Sequence, residues 1–445
     1  MLHIVNESTG PSLSRTLPFV TVAATLGSVI EWYDLFVYGS LVVVLSQVFF
    51  PSSTPALSLL AALAAFVSGA AVRPFGGAVF GRLGDLVGRK YAFLLSIIVM
   101  GVGATLTGLL PTYASVGILA PALLLVVRVL QGLALGGEYG GAAIYIAEHV
   151  PGSSRGYWTG YIQATATCGL ILSLAVVLAA RVSLGQEDFL RWGWRVPFLL
   201  SSVLAVIAIL IRWRLKETPI FTKLKNAKRT SDAPLRESLA NKMNLKLVLL
   251  ALVIVSGSSV IWHTAQFYSM IFMQTVLKLD FLSSGVVMLS ALLIGAPFFV
   301  LFGWLSDRVG RKKVLLLANL IGAIALLPVY IGMKGFSNPP NLPILAALVF
   351  VQVLLSAMAY GPLAAFLVEL FPARIRYTSL SVAHGVGTGD IGDGTVLIAP
   401  ALALATGNIY AGLLWSVAVP LVTLSIGLHY MRETRQTKIW EEVES

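Results

Sequence analysis

Charge is what this sequence has least of. Asp, Glu, Lys and Arg make up 11% of its 445 residues, where a soluble globular chain carries about 25%. Apolar residues reach 57% and the mean hydropathy is +0.86, a composition that suits membrane-crossing helices of about 20 residues. Cysteine is nearly missing: Cys168 is the only one, which excludes a disulfide framework. No G-x-x-x-x-G-K-[ST] loop is present, which excludes an ATP-driven pump of the P-loop kind. No Cys/His ligand cluster and no nucleophile elbow occur, so the residues offer no enzyme chemistry and no metal site. The N-terminus lacks a basic leader and a small-residue cleavage site. The first apolar run is therefore expected to stay as a spanning helix and not to leave as a signal peptide.

What is present is a repeat. Gly81-Arg-Leu-Gly-Asp-Leu-Val-Gly-Arg-Lys90 returns as Gly303-Trp-Leu-Ser-Asp-Arg-Val-Gly-Arg-Lys312, half a chain later. Gly81, Asp85 and Arg89 coincide with Gly303, Asp307 and Arg311. Glu148-His-Val-Pro151 with Arg155 is echoed by Glu369-Leu-Phe-Pro372 with Arg374 and Arg376, and Lys216-Glu-Thr218 by Arg432-Glu-Thr434. Each pair flanks apolar runs, so the chain reads as a duplicated membrane unit.

Twelve spans fall near 18–44, 57–80, 91–110, 117–146, 157–181, 194–212, 247–274, 283–304, 314–333, 342–367, 378–403 and 408–430. The expected fold is an all-α membrane protein of two six-helix bundles, 1–212 and 247–445, joined by a polar linker, 213–246. An even number of spans puts both termini on one side. With that side inside, the inner segments hold Arg15, Arg82, Arg89, Lys90, Arg155, the ten basic residues from Arg212 to Lys246, Arg308, Arg311, Lys312, Lys313, Arg374, Arg376, Arg432, Arg435 and Lys438. The outer segments hold only Arg181, Arg191, Arg195, Lys278 and Lys334. Basic residues in short loops mark the cytoplasmic side, so a multi-pass cell-membrane protein with both termini cytoplasmic is expected. The same bias accounts for the net charge of +11 without a nucleic-acid partner.

A charge at a helix centre costs about 2.5–3.5 kcal/mol, so each one inside a span calls for a reason. Glu31 and Asp34 share one face of the first span with Gly27 and Tyr38. Two carboxyls so close are not expected both to ionise in a low dielectric, which suits a proton carrier; pairing of one with a base on another helix is the competing reading. Arg128 and Gln131 share a face of the fourth span, with Glu138 about 15 Å further along. Arg128 reads as a counter-ion for an acid or an anionic substrate, and Glu138 as a gate, a helix-pairing group or a substrate contact. Arg73, near the end of the second span, is expected to snorkel to the interface. In the seventh span His263 and Gln266 face one way; Gln163 and Tyr360 are further candidate cavity residues. His384 opens the glycine-rich run of the eleventh span, which carries Asp390 and Asp393. A run with so many glycines reads either as an irregular cavity-lining helix or as a helix end near the outer surface.

These motifs identify the chain as similar to the major facilitator superfamily over nearly its whole length. Glu31-Trp-Tyr-Asp34, Ala71-Val-Arg-Pro-Phe-Gly-Gly77, Gly136-Gly-Glu-Tyr-Gly-Gly141, Trp192-Gly-Trp-Arg-Val-Pro-Phe198 and Glu369-Leu-Phe-Pro-Ala-Arg374 together resemble its metabolite:proton symporters, carriers of proline/betaine, alpha-ketoglutarate, shikimate and citrate. The resemblance implies substrate binding near the midplane between the halves, a charge relay of Asp85 and Arg89 that meets the start of the eleventh span when the carrier opens outward, and help from Arg128 in proton coupling. Asp393 falls where that family usually has glycine.

The expected function is proton-coupled uptake of a small organic anion or zwitterion by a monomer working in the lipid bilayer. Asp34 and Glu31, with Arg128 and Glu138, are the coupling candidates. Arg128, Gln163, His263, Gln266, Tyr360, His384, Asp390 and Asp393 are the substrate candidates, and the proton is the only cofactor-like partner. Residue types leave sodium open as the coupling ion. A sugar porter or an exporter of the same superfamily would share the repeated loops, and a non-transporting nutrient receptor would add a long cytoplasmic domain.

Overall fold

A computed structural model describes the backbone of residues 11–213, 217–227 and 229–439, and their side chains except those of 11–24, Arg89, Phe93 and Pro219. The side chains of Arg15 and Arg89 and the residues Arg214, Lys216 and Lys228, which carry expectations above, lie outside the described residues.

Ten helices among the described residues are long and apolar enough to cross a membrane, and one bent pair adds an eleventh. In chain order α1 is that pair, Thr25–Ser40 with Val42–Phe49, bent by 61°. Then come α2 (Pro55–Leu86), α3 (Lys90–Leu109), α4 (Leu119–Ala147), α5 (Gly152–Gly193) and α6 (Arg195–Trp213). The second half has α7 (Lys242–Thr275), α8 (Phe281–Val309), α9 (Arg311–Gly335) and α10 (Leu342–Leu370). The eleventh span, α11, is Arg376–His384, a π-helical Gly385–Asp393 and Thr395–Thr406 in succession. Leu413–Tyr430 is α12. Among the described residues the twelve expected spans are all present as helices. Two short helices, Pro219–Asn226 and Pro234–Ala240, lie in the linker.

Helix starts are written into the polar punctuation. Thr54, Thr218, Asn241, Asp280 and Asn341 each accept backbone N–H bonds of the first turn with their side chains, satisfying donors that a helix leaves unpaired. The Ser283 hydroxyl, with backbone bonds from Ser283 and Leu282, holds the Asp280 carboxyl below the usual range.

The glycine-rich run of α11 is not a helix end but an irregular, π-helical stretch whose Thr388 lines a cavity. It is continuous with the helices on both sides and largely buried. It packs on α7 within its own bundle and on α2 across the interface; α5 and α8 make the matching contact on the other side. The repeat thus sets two equivalent bundle-to-bundle seams.

The repeated loops turn at Gly88 and Gly310, with φ of 143° and 109° and ψ near 150°. That region of backbone space is essentially open to glycine alone. Behind each turn a carboxylate closes the next helix start: Glu217 accepts from Lys90 N at 3.2 Å, and Glu433 from Arg311 N at 2.9 Å. The Lys/Arg-Glu-Thr repeats therefore cap the helices that follow the repeated loops. Gly310→Ala should destabilise the protein by about 1–3 kcal/mol through backbone strain, seen as a lower thermal midpoint in detergent, with Ser306→Ala in the same helix as the comparison.

Candidate functional site

At the end of the molecule that carries the linker and most of the basic residues, the two bundles are latched together. Asp85 Oδ2 accepts from Thr378 N at 3.0 Å and from Thr378 Oγ1 at 2.7 Å. Asp307 repeats the move on the other seam, accepting from Gly156 N at 2.8 Å and Tyr157 N at 2.7 Å. Each aspartate of the repeat thus sits on the first turn of a helix of the opposite bundle, where free N–H groups and the helix dipole favour a negative charge. Two buried ion pairs reinforce the seams. Arg155 meets Glu369 at 2.8 Å and Arg376 meets Glu148 at 3.0 Å, while Arg311 joins Asp307 (2.7 Å) to Glu369 (3.2 Å). Gly81 lies against Thr378 and Gly303 against Gly156 so closely that a Cβ would collide. The expected gating residues are therefore brought together, Arg89 alone lying outside the described side chains.

The opposite end is open. A cavity of 640 Å³ lies there between α1, α2, α7 and α11, with Ser46, Gln47, Ser58, Tyr268 and Gln274 among its walls. A layer of rings on α1, α2 and α7 follows: Phe36 packs on Trp262 and Phe267 at centroid distances of 5.5 and 5.2 Å, and Phe66 on Phe267 at 5.7 Å.

A second cavity, 20 Å³, is walled by both bundles: Trp32, Tyr139 and Gln163 from the first, and Trp262, His263, Tyr360, His384 and Thr388 from the second. Its polar groups are tied to one another. His384 stacks flat on Tyr139 (3.7 Å, 8°), whose hydroxyl accepts from Gln163 at 2.8 Å. Ser259 joins Tyr360 and Thr388 at 2.6 and 2.9 Å. Gln266 accepts from Thr167 of the other bundle at 3.1 Å. Gln163, His263, Tyr360 and His384 of the expected substrate set thus meet at one place. Asp390 is half-buried and lines neither cavity.

The intramembrane charges divide. Arg212, counted above with the linker, is instead fully buried at the end of α6. It forms a two-pronged contact with Glu31 through Nη1 and Nη2, the second bond at 2.7 Å, and Glu138 stands 3.6 Å away. One cation therefore answers two acids, so Glu31 takes the pairing role and Glu138 a neighbouring one. Asp34 is different. It is buried beside Ser201, its Oδ1 makes no hydrogen bond, and no cation pairs with it among the described residues. Arg128 has no ion pair either among the described residues. Its guanidinium lies over the rings of Tyr38 (4.4 Å) and Phe66 (5.2 Å) and donates to Gln131 at 2.9 Å. Arg73 does not snorkel. The helix runs on to Leu86, so Arg73 lies near its middle, buried, 2.6 Å from Asp393. Asp393 also meets His263. Drawing the second span to residue 86 would have placed Arg73 correctly; nothing in the sequence points Arg212 at Glu31.

The family described as "Sugar (and other) transporter" matches residues 20–247, and the family "Major Facilitator Superfamily" matches 291–442. The chain belongs to the major facilitator superfamily. It is 34% identical to the inner membrane metabolite transport protein YhjE of Escherichia coli K12 over 83% of this chain and 84% of that one. It is 33% identical to the proline/betaine transporter of the same strain (93% and 83% covered) and to its shikimate transporter (92% and 92%). The fold matches the proton:xylose symporter XylE, bound in that structure to 6-bromo-6-deoxy-D-glucose, with a TM-score of 0.77 at 19% identity over 97% of this chain and 99% of that one. This superfamily member is a multi-pass membrane transporter and not an enzyme.

Removing one partner of a buried ion pair costs about 3–5 kcal/mol, whereas replacing both by apolar groups of similar size is close to neutral. Arg212→Ala should therefore lower the unfolding midpoint in detergent strongly. The triple change Glu31→Leu, Glu138→Leu, Arg212→Met should recover most of the loss, and failure to recover would show that Arg212 has another structural partner.

Proposed function

We propose that the protein is a proton-coupled symporter that takes up a small organic anion or zwitterion by alternating access. In this reading the latched, basic end is cytoplasmic, following the Lys/Arg bias of the loops, and the open cavity receives substrate from outside. The whole path lies between two bundles of one chain, so a monomer suffices.

The observation that carries the coupling is Asp34. It is a carboxyl in the interior of α1 with no ion-pair partner among the described residues, while its neighbour Glu31 is held by Arg212. A proton bound there removes a charge whose burial costs about 2.5–3.5 kcal/mol. Arg128 lies over Tyr38, one helical turn outward from Asp34. Each proton moving inward contributes about 2.3 kcal/mol per 100 mV of membrane potential.

The small central cavity is the substrate site in this reading. Two tryptophans and two tyrosines line it and no arginine does, Arg73 being held by Asp393. Aromatic faces attract onium groups, so the walls favour a zwitterion over a simple carboxylate. The proline/betaine transporters among the relatives support that choice.

A proteoliposome screen of proton currents with betaines, proline, shikimate, simple carboxylates and xylose tests both parts. A saturable current is expected with a zwitterion; uptake that persists unchanged without a pH gradient or potential would sink proton symport. Asp34→Asn should abolish accumulation and leave counterflow exchange measurable, and wild-type accumulation in that variant would remove Asp34 from the coupling role. Asp85→Ala removes charge-assisted bonds worth about 1.5–3 kcal/mol from the gate. Turnover should then fall by about tenfold or more, with substrate affinity nearly unchanged; the reverse split would make Asp85 a binding residue.

A further inference from the structure

Each carboxylate oxygen of Asp393 faces a different basic side chain. Oδ2 lies 2.6 Å from Nη2 of Arg73, across the seam between α11 and α2, and Oδ1 meets Nε2 of His263 on α7 within its own bundle. All three side chains are buried. A Cβ at Gly389, one turn before Asp393, would stand 3.1 Å from the Arg73 stem, so the glycine lets α2 come this close.

The other ring nitrogen of His263 fixes the proton count. Nδ1 is 2.8 Å from the backbone carbonyl of Ser259. A carbonyl only accepts, so Nδ1 carries a hydrogen. A neutral imidazole has one hydrogen in all, and its Nε2 would then turn a lone pair toward a carboxylate oxygen. A second hydrogen between Nε2 and Oδ1 relieves that opposition. Whether it sits on nitrogen or on oxygen, the pair then holds one proton more than a neutral histidine beside a carboxylate.

We propose that Asp393 and His263 form a second proton-binding site, distinct from Asp34, and that loading it weakens the hold of Asp393 on Arg73 and so loosens the seam between α2 and α11. With the proton present, the carboxylate is shared between imidazole and guanidinium. Without it, His263 turns away and Asp393 belongs to Arg73 alone, which tightens the seam. His263 also lines the central cavity, so the proton arrives by the substrate's route, and it leaves to the lower proton activity of the other side once the latched end opens. The other charged or titratable groups facing this triad are Arg128 from α4, Tyr360 from α10, and His384 and Asp390 from α11 itself. Arg128 opposes the added positive charge and Asp390 favours it.

The use of this site in transport rests on the symport reading; its occupancy by a proton does not. Val87 and Val309 are exposed, equivalent positions of the two repeated loops at the latched end. Spin labels at Val87→Cys and Val309→Cys in a Cys168→Ser background, in lipid nanodiscs without substrate, report opening of that end between pH 5 and pH 9. The population with long distances should rise as pH falls, by about tenfold or more for the loss of one charge-assisted bond. Asp393→Asn should keep long distances at every pH, and His263→Gln short ones, because Asp393 then serves Arg73 alone. Asp393→Glu should restore the pH response, which separates loss of the acid from loss of the fold. A wild-type pH response in Asp393→Asn or His263→Gln, a shift of both in the same direction, or a response lost in Asp34→Asn overturns the proposal. Uptake is scored separately: transport indifferent to the proton gradient, with the distance change still dependent on Asp393 and His263, would end the symport reading and leave this site standing.

Discussion

An ionised group inside a bilayer has to be answered by another, and the arrangement of this protein follows from how its charges are answered. Arg212 is answered twice, by Glu31 and by Glu138 at 3.6 Å, within one bundle. That cluster ties α1, α4 and α6 together and can stay intact while the bundles move. Arg73 is answered across the seam by Asp393, so any motion that parts α2 from α11 breaks the pair. Asp34 and Arg128 have no ion pair among the described residues. The same cost of burial thus yields three kinds of charge: one that builds a bundle, one that joins two bundles, and one left available for chemistry.

The latched end shows what duplication contributes. Asp85 and Asp307 reach the first turns of helices in the opposite bundles, and Arg376–Glu148 is mirrored by Arg155–Glu369. Neither half could close alone, since each donor helix belongs to the other half. Hydrogen bonds and ion pairs join both seams beside close glycine contacts. Toward the open end the bundles meet through rings, Phe36, Phe66, Trp262 and Phe267, so the two sides of the central cavity are built of different chemistry.

Much of this was legible in the chain. Loop repeats at 81–90 and 303–312, the basic bias and the lengths of the apolar runs gave the two bundles and the sidedness of the charges. The face shared by Glu31 and Asp34 was also correct, because a helix fixes which side chains point together. Their separate fates were not legible: Arg212 sits 181 residues from Glu31, and periodicity says nothing about which helix stands opposite. Arg73 was misplaced for a simpler reason. The span is expected to stop at residue 80, ahead of the charged motif at 81–90, which puts Arg73 near its end, whereas the helix continues to Leu86.

The glycine-rich run of α11 marks the boundary between the two kinds of knowledge. Composition determined that it could not face lipid as an ordinary helix, and the duplicated signature determined that it belonged to the eleventh span of a two-bundle carrier. Only the tertiary structure decided that its glycines admit α2 and that Asp393 stands between Arg73 and His263. Local pattern is set by the chain's own neighbours a few residues away; the pairing of buried charges is set by residues hundreds of positions apart that meet only when the bundles close.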